Sequence, residues 1–474
     1  MQRQEHRFRA VRAASLPCAS AFQAIVFPAF LVAALLVALV APGLAHAEVR
    51  KADEVVGETV EQRDLSVSQC PNISAEHATL ISQDGTVYYD RNGDEESQIA
   101  SITKVMTAIV ALDNATEGLT VEVSADAALI GESSAGLQEG DVMDLQTALK
   151  ALLVPSGNDA AVAIAEAVGA TMSSSSSQAS DAFVKAMNDK SRELGLQNTV
   201  YENPHGLDDG EHAGELHSTA RDQALVAKCA MEYPQIREIV GGGSTTITVT
   251  RGGKKENIEL ETTDLLLDMY KYAIGVKTGV TNLAGPSFMG AANKDGREMY
   301  AVVLNSADEY TRFEDAEALF EWGYNHIVDL PLANSDVHAT MKANGSSNDV
   351  PVIAEVPHLE WVDRTVKATL KDPNAQVNVF DLEGNVTQEV TFDELHGTVE
   401  AGDKVGTITF YQRNKEIDSQ DLVACERVEA PNPIDTVAIW WQRVTQGLDD
   451  SNNHAKSKVY NVMPIICDNK SSAA

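Results

Sequence analysis

Cysteine is scarce: Cys18, Cys70, Cys229, Cys425 and Cys467 lie far apart, with no C-x-x-C pair among them. That spacing argues against a zinc site, while one or two disulfides stay open in an oxidising compartment. Positive charge is also in short supply. The 36 Lys and Arg face 70 Asp and Glu, for a net charge of -34. Phosphate backbones would be repelled by such a chain, so no nucleic acid is expected as a partner. The first segment departs from this texture. Arg3, Arg7, Arg9 and Arg12 precede an apolar run from Ala24 to Leu44, and Ala45-His46-Ala47 then supplies an A-x-A cleavage pattern. Residues 1–47 read as an export signal, with an uncleaved N-terminal anchor as the alternative because the run approaches the length of a membrane span. Cys18 precedes the apolar run, so it is not placed to become a lipidated N-terminus. Loss of this segment, which carries four Arg and one Glu, would take the net charge from -34 to -37.

At 474 residues the chain has room for two or three domains. Thr86 to Asp90 reads as a strand entering a tight turn at Asn92-Gly93. A helix beginning at Ser101 follows, because Ile102, Val105, Ile109 and Leu112 recur at steps of three and four. Further helices are expected over Asp159–Val168, Asp181–Leu194 and Phe313–Tyr324. Strands are expected over Thr245–Thr250 and Tyr300–Leu304, and a solvated serine-rich loop over Thr171–Ser180. This mixed α/β region closes near Leu330. Short β-branched runs then replace it: Val366–Leu370, Gln376–Asp381, Val386–Phe392, Val405–Gln412 and Leu422–Val428. Residues 331–430 therefore read as a small all-β module, after a 48–330 domain that carries the chemistry. Over 431–474, Ile434, Val437, Trp441, Val444 and Leu448 mark an amphipathic helix, with Trp440 alongside, ahead of a polar tail. That helix either packs on its own protein or makes a peripheral contact with a membrane surface, and Arg443 alone supplies nearby positive charge.

Three short patterns carry chemistry. Ser101-Ile102-Thr103-Lys104 sets a hydroxyl and an amine one helical turn apart, so the Lys104 amine can reach the Ser101 oxygen. A lysine acts as a base only when neutral, and burial beside a second cation such as Lys277 would favour that state. Ser156-Gly157-Asn158 adds a hydroxyl able to relay a proton and an amide able to orient it or bind substrate. Ser346-Ser347-Asn348 and Ser451-Asn452-Asn453 repeat that triplet but follow Lys277, so chain order separates them from it. Lys277-Thr278-Gly279 on a strand edge offers a charge and a hydroxyl to a carboxylate, with Gly279 leaving room for a substrate backbone. Together the three patterns describe serine acyl transfer.

The order and spread of these motifs resemble the penicillin-binding-protein family, specifically its serine-type D-alanyl-D-alanine carboxypeptidases. The likeness runs from about Pro71 to Tyr324. It includes Asn203-Pro204-His205-Gly206-Leu207, His217-Ser218-Thr219-Ala220-Arg221-Asp222 and Thr311-Arg312-Phe313. It implies a penicillin-recognising serine transpeptidase/β-lactamase-like α/β domain followed by the family's small all-β domain. It also implies Ser101 as nucleophile, Lys104 as base and Ser156 as proton relay. Asn158, Lys277, Thr278, Gly279 and Val280 would bind substrate, the last through its backbone N–H in an oxyanion hole shared with Ser101. The implied substrate is a peptidoglycan stem peptide that loses its terminal D-Ala, with β-lactam antibiotics as inhibitors. Neither metal nor organic cofactor is implied, and the site of action is extracytoplasmic, in the cell wall or on the outer face of the cytoplasmic membrane. Thr263-Asp264-Leu265-Leu266 departs from the family by carrying Asp where Asn is common.

Two alternatives share these motifs. A class A β-lactamase needs a glutamate to activate its deacylating water. Glu193 in Glu193-Leu194-Gly195-Leu196-Gln197-Asn198 offers one, but Gln197 stands where that pattern needs Asn, and the segment reads better as a helix end. A catalytically silent cell-wall binding protein would keep the fold and lose the chemistry. His205 and Arg312 read here as a satisfied structural histidine and a surface arginine.

Overall fold

The computed structural model describes residues 50–173, 175–343, 346–446 and 454–465. The expected export segment, Cys18, Cys467, Leu448 and the Ser451-Asn452-Asn453 triplet lie outside them. Its centre is a seven-stranded antiparallel sheet in the order Glu58–Thr59, Glu54–Val55, Val87–Arg91, His77–Ser82, Arg297–Leu304, Ser287–Lys294, Ala273–Gly279. Strand Arg297–Leu304 is apolar along most of its length because both of its faces are covered. Tyr300, Val302 and Leu304 enter one core, while Met299, Ala301 and Val303 enter the other. The first core is closed by helices Thr103–Asn114, Leu145–Leu153, Asn158–Met172 and Ala220–Ala230, and the second by helix Thr311–Asn325 through Phe313, Leu319 and Phe320.

Ala160, Ala161, Ala163 and Ala165 are fully buried around helix Asn158–Met172, and their small side chains let neighbouring elements pack close to it. This helix runs four residues past the expected Val168 and takes up the start of the serine-rich stretch. A short turn at Ser176–Gln178 then leads to helix Ala179–Glu193. A second, four-stranded sheet built from Thr120–Glu122, Val142–Asp144, Thr245–Arg251 and Lys254–Leu260 lies on the helical side. At the far edge of the large sheet, the Asp53 carboxylate accepts from the Arg91 guanidinium at 2.7–3.1 Å and from the Tyr89 hydroxyl at 2.6 Å. Arg91 Nη1 also donates to the carbonyls of Ile73 and Ala75. Arg91 and Asp53 are 1 % and 3 % exposed, and a buried charge pair of this kind is tolerable because its polar atoms have partners.

The C-terminal region is built of strands. Val386–Phe392, Lys404–Gln412, Lys415–Ala424, Thr365–Leu370, Ala354–Pro357 and Lys458–Val459 form a six-stranded sheet in that order, over a core of Leu332, Val366, Leu370, Val405, Ile408, Phe410 and Leu422. Strand Ile327–Pro331 pairs with Gln376–Phe380, and Phe380 stacks on Tyr88 of the large sheet at a centroid distance of 4.2 Å. The strand expected over Leu422–Val428 instead occupies Lys415–Ala424. Cys70, Cys229 and Cys425 are free thiols.

Helix Pro433–Gln446 is present with Ile434, Val437, Trp440, Trp441 and Val444 all more than half exposed. It touches the rest of the chain through buried Ile439 and through Arg443, whose Nη2 donates to the Leu359 carbonyl. The tail beyond it returns: Lys458–Val459 pairs with Ala354–Pro357, Ile465 bridges Val386, and Asn461 donates to the Leu332 carbonyl. Among the described residues, no helix is long and apolar enough to cross a membrane.

Candidate active site

The nucleophile motif lies where the chain turns into its central helix. Ala100–Ile102 is a single 3-10 turn, and the α-helix proper starts at Thr103. Ala100 itself has φ +47°, a left-handed conformation that is costly for a residue with a Cβ. Surrounding contacts hold it there. Gly206, at φ +92°, approaches so closely that a Cβ would fall on the Ala100 carbonyl, so only glycine fits. The Gly206 loop is set by Asn203, whose Oδ1 accepts from the N–H groups of His205 and Gly206, and by Thr107, whose hydroxyl donates to the Pro204 carbonyl at 2.6 Å.

Lys104 Nζ donates to Ser101 Oγ at 2.7 Å and to the His205 carbonyl at 2.8 Å. The lysine is fully buried. Burial first, and the positive charge of Lys277 second, hold its amine well below the ordinary lysine range, with Asp159 opposing them. His205 is pushed down to about 3 by burial, Lys104 and His212, so its ring is neutral while its carbonyl orients the lysine. The sequence reading of His205 as a buried structural residue therefore leaves out this positioning contact.

Ser156 and Asn158 join the cleft from the start of helix Asn158–Met172. Ser156 has φ +67°, a second strained non-glycine position. The adjacent loop is tied down by Asp159, which accepts from the N–H groups of Ala135 and Leu137 and from the Ser134 hydroxyl. Asn158 is 1 % exposed. Its Nδ2 donates to the Gly131 carbonyl, whereas its Oδ1 has no partner and is free to accept from a ligand N–H. Lys104 bonds to Ser101 and His205 and not to Ser156, which lines the same cleft.

Lys277, Thr278 and Gly279 end the outermost strand of the large sheet, paired on one side with Met289, Phe288 and Ser287 and open on the other. Lys277 is 1 % exposed, and burial together with Arg312 brings its amine down to about 7. Its Nζ donates to the Thr278 carbonyl at 2.9 Å. Thr278 Oγ1 lies 2.7 Å from Thr263 Oγ1. Gly279 also serves the packing of the site. A Cβ there would lie 2.7 Å from the Ile99 carbonyl oxygen, 3.2 Å from Ile102 and 3.3 Å from Ala100, so its bare backbone lets this strand press against the nucleophile turn.

Ser101, Ser156, Asn158, Thr278, Gly279 and Val280 line one cleft of about 350 Å³, with Lys104 and Lys277 buried in its wall. Arg312 lines it too. It is 6 % exposed rather than on the surface, and its Nη1 donates to the Gly279 carbonyl at 3.2 Å. Thr263, from the Thr263-Asp264-Leu265-Leu266 stretch, lines the cleft too, as does Glu309, which no motif singled out. Only Thr311-Arg312-Phe313 offered a signal for the arginine. Glu193 is exposed and pairs with Lys190 outside this cleft. No group of His, Cys, Asp and Glu suited to a metal ion occurs among the described residues. The arrangement provides an alcohol against a buried amine, free acceptors, and a cationic end suited to a carboxylate.

Comparison with known proteins agrees with this geometry. The family described as D-alanyl-D-alanine carboxypeptidase matches residues 64–308, and the penicillin-binding protein 5 C-terminal domain matches 362–430. The chain is similar to the D-alanyl-D-alanine carboxypeptidase DacF of Bacillus subtilis, at 28 % identity over 74 % of this chain and 85 % of that one. It is similar to a D-alanyl-D-alanine carboxypeptidase of Streptomyces sp. strain K15, at 32 % identity over 51 % of this chain and 83 % of the other. Among solved structures, the Streptomyces K15 DD-transpeptidase superposes with a TM-score of 0.50 at 29 % identity, covering 54 % of this chain and 98 % of that one.

Proposed function

Because the chain belongs to the D-alanyl-D-alanine carboxypeptidase family, a family of serine hydrolases, we propose that its cleft removes the terminal D-Ala of peptidoglycan stem peptides through an acyl-enzyme on Ser101. The observation that carries the assignment is the buried Lys104 amine 2.7 Å from the Ser101 hydroxyl. Neutral Lys104 takes the hydroxyl proton as Ser101 Oγ attacks the carbonyl carbon of the penultimate D-Ala. The backbone N–H groups of Ser101 and Val280 receive the oxyanion. The C–N bond then breaks, and the leaving D-Ala nitrogen takes a proton from Lys104 by way of Ser156. Water hydrolyses the ester and regenerates Ser101. Lys277, Thr278 and Arg312 hold the terminal carboxylate, while Asn158 Oδ1 accepts from a substrate amide. These steps call for no metal or organic cofactor.

A β-lactam would acylate the same serine and act as an inhibitor. The peptidoglycan substrate implies action outside the cytoplasm. We further propose that residues 1–47 are an export signal, that residues 48–330 form the catalytic domain and 331–430 the β domain, and that the exposed apolar face of helix Pro433–Gln446 rests on the outer face of the membrane.

A fluorescent-penicillin gel tests the nucleophile. The parent should label covalently, and Ser101→Ala should not label while unfolding at the parental temperature. Equal labelling of the two would reject Ser101. Absence of label on both, with no D-Ala release by the parent, would favour the catalytically silent reading. The β-lactamase reading has little support, since Glu193 lies outside the cleft. Rapid penicillin turnover without D-Ala release would revive it.

A further inference from the structure

Asp264 takes no part in the reaction drawn above, yet it is a buried acid directly behind the cationic end of the cleft. It follows Thr263, whose hydroxyl meets that of Thr278, and precedes the short helix Leu266–Met269. It is 5 % exposed. One carboxylate oxygen, Oδ1, accepts the Leu266 N–H at 3.0 Å, a turn contact that an asparagine could make equally well. The other, Oδ2, is buried without a partner. A carboxylate oxygen left in this way needs compensation from nearby charge or from a proton.

The charges facing it come from two other elements: Lys277 on strand Ala273–Gly279 and Arg312 on helix Thr311–Asn325. Its own short helix contributes backbone N–H groups. Arg312 is opposed in turn by exposed Glu309, and Lys277 has Arg312 and Lys104 as neighbouring cations. Asp264 is thus the acid that balances Lys277, whose own hydrogen bonds go to Thr278.

We propose that Asp264 is a positioning residue for substrate binding: ionised, it keeps Lys277 cationic, and so fixes the pH range over which the cleft holds a terminal carboxylate. The inference rests on the reading of Lys277, Thr278 and Arg312 as the carboxylate site. Geometry and charge agree with it. Burial lifts the Asp264 carboxyl to about 7, against the opposing pull of the Leu266 N–H, Lys277 and Arg312, and Lys277 titrates in the same range. As pH rises through neutrality Asp264 ionises, and its charge then resists loss of the Lys277 proton. Without it, Lys277 would become neutral at lower pH, and carboxylate affinity would fall with it.

The test measures D-Ala release from an N-acylated peptide ending in D-Ala-D-Ala, with KM and kcat followed from pH 5.5 to 9.5 for the parent and Asp264→Asn. The asparagine retains an acceptor for the Leu266 N–H, and thermal unfolding reports whether the fold survives. The variant should match the parental KM at the acid end. Its alkaline rise in KM should begin about one pH unit lower, giving roughly a tenfold higher KM near pH 8.5, with kcat little changed. Superposable KM profiles would overturn the proposal. So would a uniform KM increase at every pH, or a fall in kcat alone, since these mark a packing role. The same peptide with a C-terminal amide separates the two levels of inference. If the parent handles amide and acid alike, the carboxylate site is wrong. If it discriminates but the two profiles coincide, Asp264 alone is misassigned.

Discussion

Replacing Gly279 by alanine tests the fit between the two halves of the cleft. The added Cβ would sit 2.7 Å from the Ile99 carbonyl oxygen and within 3.3 Å of Ile102 and Ala100. Ile99 offers backbone, not a movable side-chain end, so relief requires the strand or the nucleophile turn to shift by about half an ångström or more. Gly279 needs no unusual φ, so the effect is steric alone. Overpacking of this kind costs about 1–3 kcal/mol, which in a large domain lowers the unfolding temperature by roughly 2–10 °C. The catalytic effect should be larger in proportion, because the strand carries Lys277 and Thr278 while the turn carries Ser101. A misplacement of about 1 Å between reacting groups can cost 10²-fold. Acylation by a fluorescent penicillin, timed at saturating protein stability well below the unfolding transition, should slow by about 10- to 100-fold. Parental acylation with parental unfolding would refute the reasoning, because the close approach would then be of no consequence. Slow acylation caused only by a loss of bound carboxylate would also refute it, and would appear as a raised half-saturation concentration at an unchanged limiting rate.

The pH dependence offers a second check. Lys277 loses its proton at about 7 as pH rises, so affinity for a carboxylate substrate should weaken on the alkaline side. Lys277→Arg, which stays charged, should remove that limb from the KM profile and leave in place the acid limb of kcat set by Lys104. An alkaline limb unchanged in the arginine variant would assign it to another group. Asp53→Ala should cost about 3–5 kcal/mol in chemical denaturation by leaving the Arg91 charge buried, while the remaining folded protein still labels with penicillin; a loss under 1 kcal/mol would contradict the role given to this pair. For the exposed helix, Trp440→Ser with Trp441→Ser should reduce flotation with liposomes, and equal partitioning of variant and parent would remove the membrane contact.

The nucleophile pair was legible in the sequence because Ser101 and Lys104 are linked by one local turn, whose geometry is the same wherever the helix packs. The edge position of Lys277-Thr278-Gly279 was legible from its residue types. Arg312 was not. Its side chain follows a helix that could present it to solvent or to the cleft, and only the packing of Phe313 and Phe320 against the sheet decides which. The spacing role of Gly279 was hidden for a similar reason, since Ile99 and Ala100 lie some 180 positions away in the chain. In the β domain, the run Lys415–Asp421 is too polar to advertise a strand, and pairing with Lys404–Gln412 supplies what composition does not. The returning strand Lys458–Val459 is too short for any periodicity.

That return also changes how helix Pro433–Gln446 would respond to a protease. Chain before it continues from sheet strand Lys415–Ala424 and is bridged at Val428 to Val399, and chain after it is held by strand Lys458–Val459 and by Tyr460, whose N–H reaches the Ile353 carbonyl. A nick inside the exposed helix would therefore give two fragments on a denaturing gel that still elute as one particle under native conditions.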